Sequence, residues 1–243
     1  MSKGIKDKII RYESEFEYSK GVINTPMKWI DYFWNSYYKK IRPCLSNEIA
    51  QYNRVVFIGI GSGDVIPSLC YEDKRKIIGL DVNFKSLLSA REHVKVVVAD
   101  GSSIPLKSES IDLVVCNQVL HHIIGQGSLE AAINECHRIL KRGGKFIAIE
   151  PNSLHPSGVL MNVANRFHKY HFLSGGSDYE FAISPFYIFK LLRNNSFSTL
   201  KSFAVTFSHP RFPVFLQKII NSLDRILSRF YLAGLINFYM AVK

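Results

Sequence analysis

Five short, nearly continuous apolar runs through the middle of the chain constrain its fold more than any other feature. They are Val55 to Ile58, Ile77 to Leu80, Val94 to Ala99, Ile111 to Cys116 and Phe146 to Ile149. A strand with one wet face alternates apolar and polar side chains; a strand buried on both faces, as in a parallel sheet, does not have to. Between the runs lie segments of helical character. The clearest is Ser128 to Arg142, where Ser128 can cap the start and Ile133, Cys136 and Leu140 make an inner stripe. Lys141 and Arg142 complement its negative end, and Gly143-Gly144 stop it. Strands alternating with helices predict an α/β fold with a parallel sheet. Two later segments, Leu200 to Phe207 and Ile236 to Val242, read as further strands, which makes a seven-stranded, mostly parallel sheet with helices on both faces.

Three segments lie outside this alternation. Thr25 to Ile41 opens with Thr-Pro and repeats Ile30, Phe33, Trp34, Tyr37, Tyr38 and Ile41 at helical spacing, giving an aromatic face. It either packs on the sheet or, with Tyr12, Tyr18, Trp29, Tyr37 or Tyr38, forms a lid. Pro151 to Ser184 is irregular and contains His155, His168 and His171. Pro213 to Tyr231 is amphipathic, with a stripe of Leu216, Ile219, Ile220, Leu223, Ile226, Leu227 and Phe230 beside Lys218, Arg225 and Arg229. It reads either as a cover for the domain, or a dimer contact, or as an in-plane membrane helix. The expected organisation is a helical lid over residues 1–50 and one domain over 51–243, with insertions at about 151–183 and 208–234.

The chain has 243 residues, 31 basic and 20 acidic, for a net charge of +11. With 47% apolar and 21% charged residues, wholesale disorder is excluded. The excess charge favours anionic partners without choosing among them. Residues 151–243 hold 10 basic and 3 acidic side chains, a net +7, so the charge gathers in the part that follows the five runs. Cys44, Cys70, Cys116 and Cys136 form no CxxC pair, and Phe230 to Val242, broken by Asn237, is shorter than the roughly 20 residues of a spanning helix. A reduced, cytoplasmic protein is expected, monomeric or homodimeric. His168-x-x-His171 lacks a supporting Cys or carboxylate cluster, so no metal is expected.

The strongest chemical signal is Gly59-Ile60-Gly61-Ser62-Gly63, directly after the first apolar run. Glycines there permit a tight turn and bring backbone N–H groups close to a ligand. The spacing does not match the dinucleotide fingerprint, and the loop lacks the Gly-Lys-Ser/Thr of a triphosphate site. Asp81 ends the second run, where a carboxylate can accept hydrogen bonds from a ribose diol. Asp100-Gly101 ends the third run and Asn117 the fourth. All fall at the carboxyl ends of parallel strands, where open α/β sheets bind ligands.

Taken in order, these segments resemble class I S-adenosylmethionine-dependent methyltransferases. Val55 to Gly63 looks like their first motif, and Ile78 to Val82 like their ribose-binding motif. Ala99-Asp100-Gly101, with Ile104 to Leu106 and Ser110 to Val114, is similar to the adenine-side motif and the fourth strand. Asn117 to His122 and Arg138 to Lys145 resemble signatures of the small-molecule branch that includes ubiquinone- and menaquinone-biosynthesis enzymes. The resemblance covers about residues 52–152 and implies a Rossmann-like fold, with S-adenosylmethionine as cofactor and S-adenosylhomocysteine as product. It implies that Gly59, Ile60, Gly61 and Gly63 wrap the methionine part and that Asp81 holds the ribose. Val82 then packs on adenine, Asp100 and Gly101 meet its amino group, and Asn117 lies near the sulfonium. The family usually carries an acidic residue two positions before the first glycine. Phe57 stands there in this chain, so backbone carbonyls near Gly59 and Asn117 are expected to hold the ammonium.

The activity this implies is in-line methyl transfer to a small-molecule acceptor, O-methylation ahead of N or C, the acceptor being anionic or lipid-linked. His121 is the candidate general base, with Glu150 and Asn152 as acceptor-pocket candidates. One rival is an RNA methyltransferase, prompted by the charge. Against it, Asn117-Gln118-Val119-Leu120 lacks the Pro-Pro-aromatic sequence of base amino-methylating enzymes, and no nucleic-acid module is appended. The other rival is a non-catalytic protein that binds S-adenosylmethionine.

Overall fold

The computed structural model describes residues 26–69, 76–124, 128–166 and 180–243. Seven strands form one sheet in the order β3-β2-β1-β4-β5-β7-β6. They are β1 (Val55–Ile58), β2 (Ile77–Asp81), β3 (Lys95–Val98), β4 (Ile111–Asn117), β5 (Leu140–Pro151), β6 (Ser198–Thr206) and β7 (Ile236–Val242). The first five are parallel; β7 inserts antiparallel between β5 and β6. Continuous apolar sequence is explained by position. All four residues of β1, the central strand, are buried, whereas β3 at the edge is only partly covered.

Alternate side chains of each central strand feed two cores. Val56 and Ile58 of β1 join Val114, Cys116, Phe146 and Ala148 on one face. Val55 and Phe57 join Leu113, Val115 and Ile147 on the other. The first core is closed by α4 (Leu120–Ile124), α5 (Leu129–Ile139) and α7 (Pro185–Asn194); the second by α1 (Met27–Ala50), α2 (Val65–Ser68) and α3 (Phe84–Ala90). The remaining helices are α6 (Pro156–Arg166) and α8 (Val214–Leu227), with a short 3-10 turn at Tyr231–Ala233.

The structure corrects three expectations. The helix starting after Ser128 ends at Ile139, not Arg142, because Leu140 already pairs with Ile111 in the sheet. The N-terminal helix runs on through Pro43 to Ala50 and buries Phe33, Tyr37, Ile41, Leu45 and Ile49 against the sheet. Tyr12 and Tyr18 lie outside the described residues.

The third correction concerns α8, whose apolar stripe is not its buried face. Gln217 and Asp224 point inward instead. Asp224 accepts hydrogen bonds from Lys40 of α1, from Thr206 Oγ1 at 3.2 Å and from Phe207 N at 3.1 Å. Gln217 Nε2 donates to Trp29 O at 3.0 Å and Phe212 O at 2.7 Å. Removing one partner of a buried ion pair is costly, whereas trimming an exposed apolar side chain is not. Asp224→Ala should therefore lower unfolding stability by roughly 2–4 kcal/mol, and Ile226→Ser by less than about 0.5 kcal/mol, in urea titrations.

Candidate active site

The sheet reverses its winding between β1 and β4, and the crevice at their carboxyl ends is where such sheets bind ligands. The glycine loop leaves β1 here. Gly59, Gly61 and Gly63 all adopt left-handed φ values of +66°, +57° and +82°. A Cβ on Gly59 would lie 2.0 Å from Val119 Cγ2, so this glycine lets the loop press against the end of β4. A Cβ on Gly61 would meet nothing within 4 Å, so its exposed edge faces open space.

Asp81, at the end of β2, fixes this loop. Its Oδ2 accepts the Gly61 N–H at 2.8 Å and its Oδ1 accepts the Asn83 N–H at 2.8 Å. Burial raises the Asp81 carboxyl above its usual range, against N–H bonds from Asn83, Gly61 and Val82 that favour the ionised form. Asp100 closes a turn by accepting Ser102 N and Oγ, both at 2.9 Å. The loop that follows is pinned to α5. Ile104 N donates to Glu135 at 2.7 Å, and Arg138 donates to the carbonyls of Ile104 and Leu106, each at 2.9 Å. Gly101 sits against Ile58, where a Cβ would lie 3.2 Å from its Cγ2. Val82 and Asp100 are partly exposed beyond the strand ends.

A cleft of about 170 Å³ opens over the glycine loop, lined by Gly59, Ile60, Gly61, Ser62, Asn117 and Gln118. Phe57, Asp64 and Val65, with Trp34 and Tyr38 of α1, complete its lining. The aromatic helix packs one stripe, Phe33, Tyr37 and Ile41, on the sheet, and Trp34 and Tyr38 beside it line the cleft. Tyr37, buried between them, donates to Asn117 Oδ1, and burial pushes its phenol well up. That bond turns the Asn117 amide so that its NH2 is the group left to donate. Gln118 holds a left-handed backbone, φ +56°, which costs a non-glycine residue about 1–2 kcal/mol. Its N–H and side-chain amide both donate to Ile149 O, at 2.9 and 3.3 Å. The strained residue thus lines the cleft.

Sequence reasoning missed Asp64 and Trp34 as cleft residues. Asp64 accepts from Ser62 Oγ at 2.8 Å. Its charge is felt by Tyr38, whose phenol burial and this carboxylate together push to about 12. The signal was present: an acidic residue directly after the last loop glycine.

His121 lies on the first turn of α4 and is 7% exposed. Its Nδ1 is 2.8 Å from Glu150 Oε2. Glu150, fully buried, also accepts the N–H groups of Val119, Leu120 and His121 at 3.0, 2.8 and 3.3 Å. Burial alone would depress the His121 pKa; the hydrogen bond to Glu150 and its charge outweigh that and raise it. The adjacent His122 goes the other way, to about 4, through burial and the charge of His121. Among the described residues His121, His122 and Glu180 bring three potential cation ligands within 4.8 Å of one another. Glu150 and Asn152, expected in an acceptor pocket, are instead internal braces. Asn152 Nδ2 donates to the carbonyls of Leu232 and Gly234, each at 2.9 Å. His168 and His171 lie outside the described residues.

Residues 56–148 match the family model described as a methyltransferase domain. An uncharacterized methyltransferase of Schizosaccharomyces pombe is 32% identical over 98 residues, 39% of this chain and 38% of that protein. A protein of Mycolicibacterium smegmatis described as a probable S-adenosylmethionine-dependent methyltransferase is 32% identical over 97 residues, 39% of this chain and 37% of its own. The chain thus spans under two fifths of the length of these relatives. Among solved structures, a Thermotoga maritima SAM-dependent methyltransferase, described as a possible histamine N-methyltransferase, superposes over 99% of both chains. The TM-score is 0.64 at 21% identity. A SAM-dependent methyltransferase of Archaeoglobus fulgidus covers 85% of this chain and 94% of its own, with a TM-score of 0.59 at 18% identity. Residues 56–148 thus match a methyltransferase domain, and the chain has the fold of these solved S-adenosylmethionine-dependent methyltransferases, whose named cofactor is a sulfonium nucleoside.

The left-handed cradle, the open edge at Gly61 and the Asp81 carboxylate beside it fit such a nucleoside. Gly59 is a packed position and Gly61 an open one. Gly59→Ala should destabilise the protein by about 3 kcal/mol or more, since the stiff Val119 side chain would lie only 2.0 Å from the new Cβ and the backbone is left-handed. Gly61→Ala should cost about 1 kcal/mol, the left-handed strain alone; chemical denaturation of both variants measures the difference.

Proposed function

We propose that the protein is a methyltransferase that uses S-adenosylmethionine to methylate a small-molecule acceptor, with a hydroxyl as the favoured group. The observation that carries this reading is a glycine cradle open at Gly61 and braced by Asp81, in a cleft that Trp34 and Tyr38 also line. In this reading Gly59, Ile60, Gly61 and Gly63 embrace the methionine part and Asp81 takes the ribose hydroxyls. Val82 packs on adenine, Asp100 and Gly101 bound its edge, and the Asn117 amide faces the reacting end. When bound there, the cofactor supplies a methyl already activated on a sulfonium, for in-line displacement by the acceptor. The protein's part is to align the acceptor and exclude water.

Phe57 leaves no charge at the end of β1, and Asp64 supports a different solution from backbone carbonyls alone. It lines the same cleft and places a carboxylate at the methionine end, where it pairs with the ammonium. Because Asp64 is exposed, its contribution is screened. Asp64→Asn should weaken S-adenosylhomocysteine binding roughly three- to tenfold, less in high salt. Binding of 5'-methylthioadenosine, which lacks the amino acid, should be unchanged; calorimetry with both ligands reads this.

His121 is assigned the acceptor's proton. His121 Nδ1–H donates to Glu150, which fixes the tautomer and leaves Nε2 as the base. Because its pKa is raised, the base is neutral only above the usual histidine range, so turnover climbs with pH through that value. The test is transfer of a labelled methyl group to compounds of a metabolite extract. His121→Gln should slow transfer to the product about a hundredfold and flatten that pH limb. Unchanged rates in the variant would remove His121 from the chemistry, and absence of any labelled product would remove the activity.

A further inference from the structure

We propose that α8 docks the protein on the surface of an anionic phospholipid bilayer. The inference is independent of the methyltransferase reading and starts from a helix that faces the wrong way for a globular protein. Phe215, Ile226 and Phe230, in and just after α8, are 67%, 71% and 64% exposed, and Ile219 and Leu223 are 55% and 45% exposed. At 100° per residue Phe215, Ile219, Leu223 and Ile226 fall on one strip along the helix, and Phe230 follows its end.

The outward orientation is built in. Asp224 and Gln217 occupy the opposite face, held by Lys40, Thr206 and Phe207 on one side and by the carbonyls of Trp29 and Phe212 on the other. Turning the strip inward would break this network and strand a carboxylate. The fold therefore presents the apolar strip to its surroundings rather than leaving it out by default, and a contiguous strip of this kind marks an interaction surface.

Charge selects the occupant. Lys218 and Arg225 are exposed and lie along one edge of the strip on the same 100° projection, and Arg229, just past the helix end, is exposed too. An apolar strip beside a cationic row is the pattern of a helix lying in the interface, its apolar side among the acyl chains and its basic side among anionic headgroups. Residues 151–243 as a whole carry a net +7. The 14-residue α8 is too short to span, and among the described residues no helix is long and apolar enough to cross a membrane. Because α8 packs on α1, the docked face is tied to the helix whose Trp34 and Tyr38 line the cleft.

The test is co-sedimentation of the full chain with phosphatidylcholine vesicles, with and without about 30% phosphatidylglycerol. Binding to the anionic vesicles should exceed binding to phosphatidylcholine alone by about tenfold and fall steeply with salt. The double substitution Ile219→Ser with Ile226→Ser should lower vesicle binding about tenfold or more at unchanged thermal stability. Lys218→Glu with Arg225→Glu should abolish the preference for anionic lipid. Failure of the full chain to bind either vesicle, or equal binding by the double variant, overturns the proposal. So does a concentration-dependent dimer in analytical ultracentrifugation that the double variant dissolves while vesicles bind neither form, since a second copy would then cover the strip.

Discussion

The carboxylate of Asp81 is the constraint on which the site depends. One oxygen holds the Gly61 N–H and the other the Asn83 N–H, so a single side chain joins the turn after β1 to the end of β2. Each oxygen retains a further lone pair for a ligand. The loop can be held this way only because Gly59, Gly61 and Gly63 tolerate left-handed backbone and because Gly59 has no side chain to meet Val119. The same few atoms thus brace the loop and remain open to a ligand at the strand end.

A second set of contacts brings the other walls to this point. Glu150 gathers the start of α4 by accepting three backbone N–H groups and the His121 ring. Tyr37 reaches from α1 to Asn117, while its neighbours Trp34 and Tyr38 line the cleft. Elements far apart in the chain are fixed by buried polar contacts rather than by packing alone. Such contacts specify geometry because their alternative is an unsatisfied buried group.

Much of this was legible in the sequence, because its signals are local. Doubly buried parallel strands give continuous apolar runs, and a left-handed loop demands glycine, so the sheet, the cradle and Asp81 could be read directly. What could not be read were contacts across long separations. Glu150 ends β5 like a pocket residue, yet its carboxylate is consumed by α4. Gln217 and Asp224 are two polar residues in an amphipathic helix, and periodicity alone assigns them to water. Only the partners on α1 and β6 reveal that this helix buries its polar side. Similarly, Leu140 could continue a helix by pattern, and pairing with Ile111 decides otherwise.

The most direct measurement of the central claim is isothermal titration of the full chain with S-adenosylhomocysteine, alongside Asp81→Ala checked for an unchanged circular dichroism spectrum. One-site binding that weakens by at least about tenfold in the variant is the predicted result. Absence of heat with the parent protein, or equal affinity in the variant, would contradict the account.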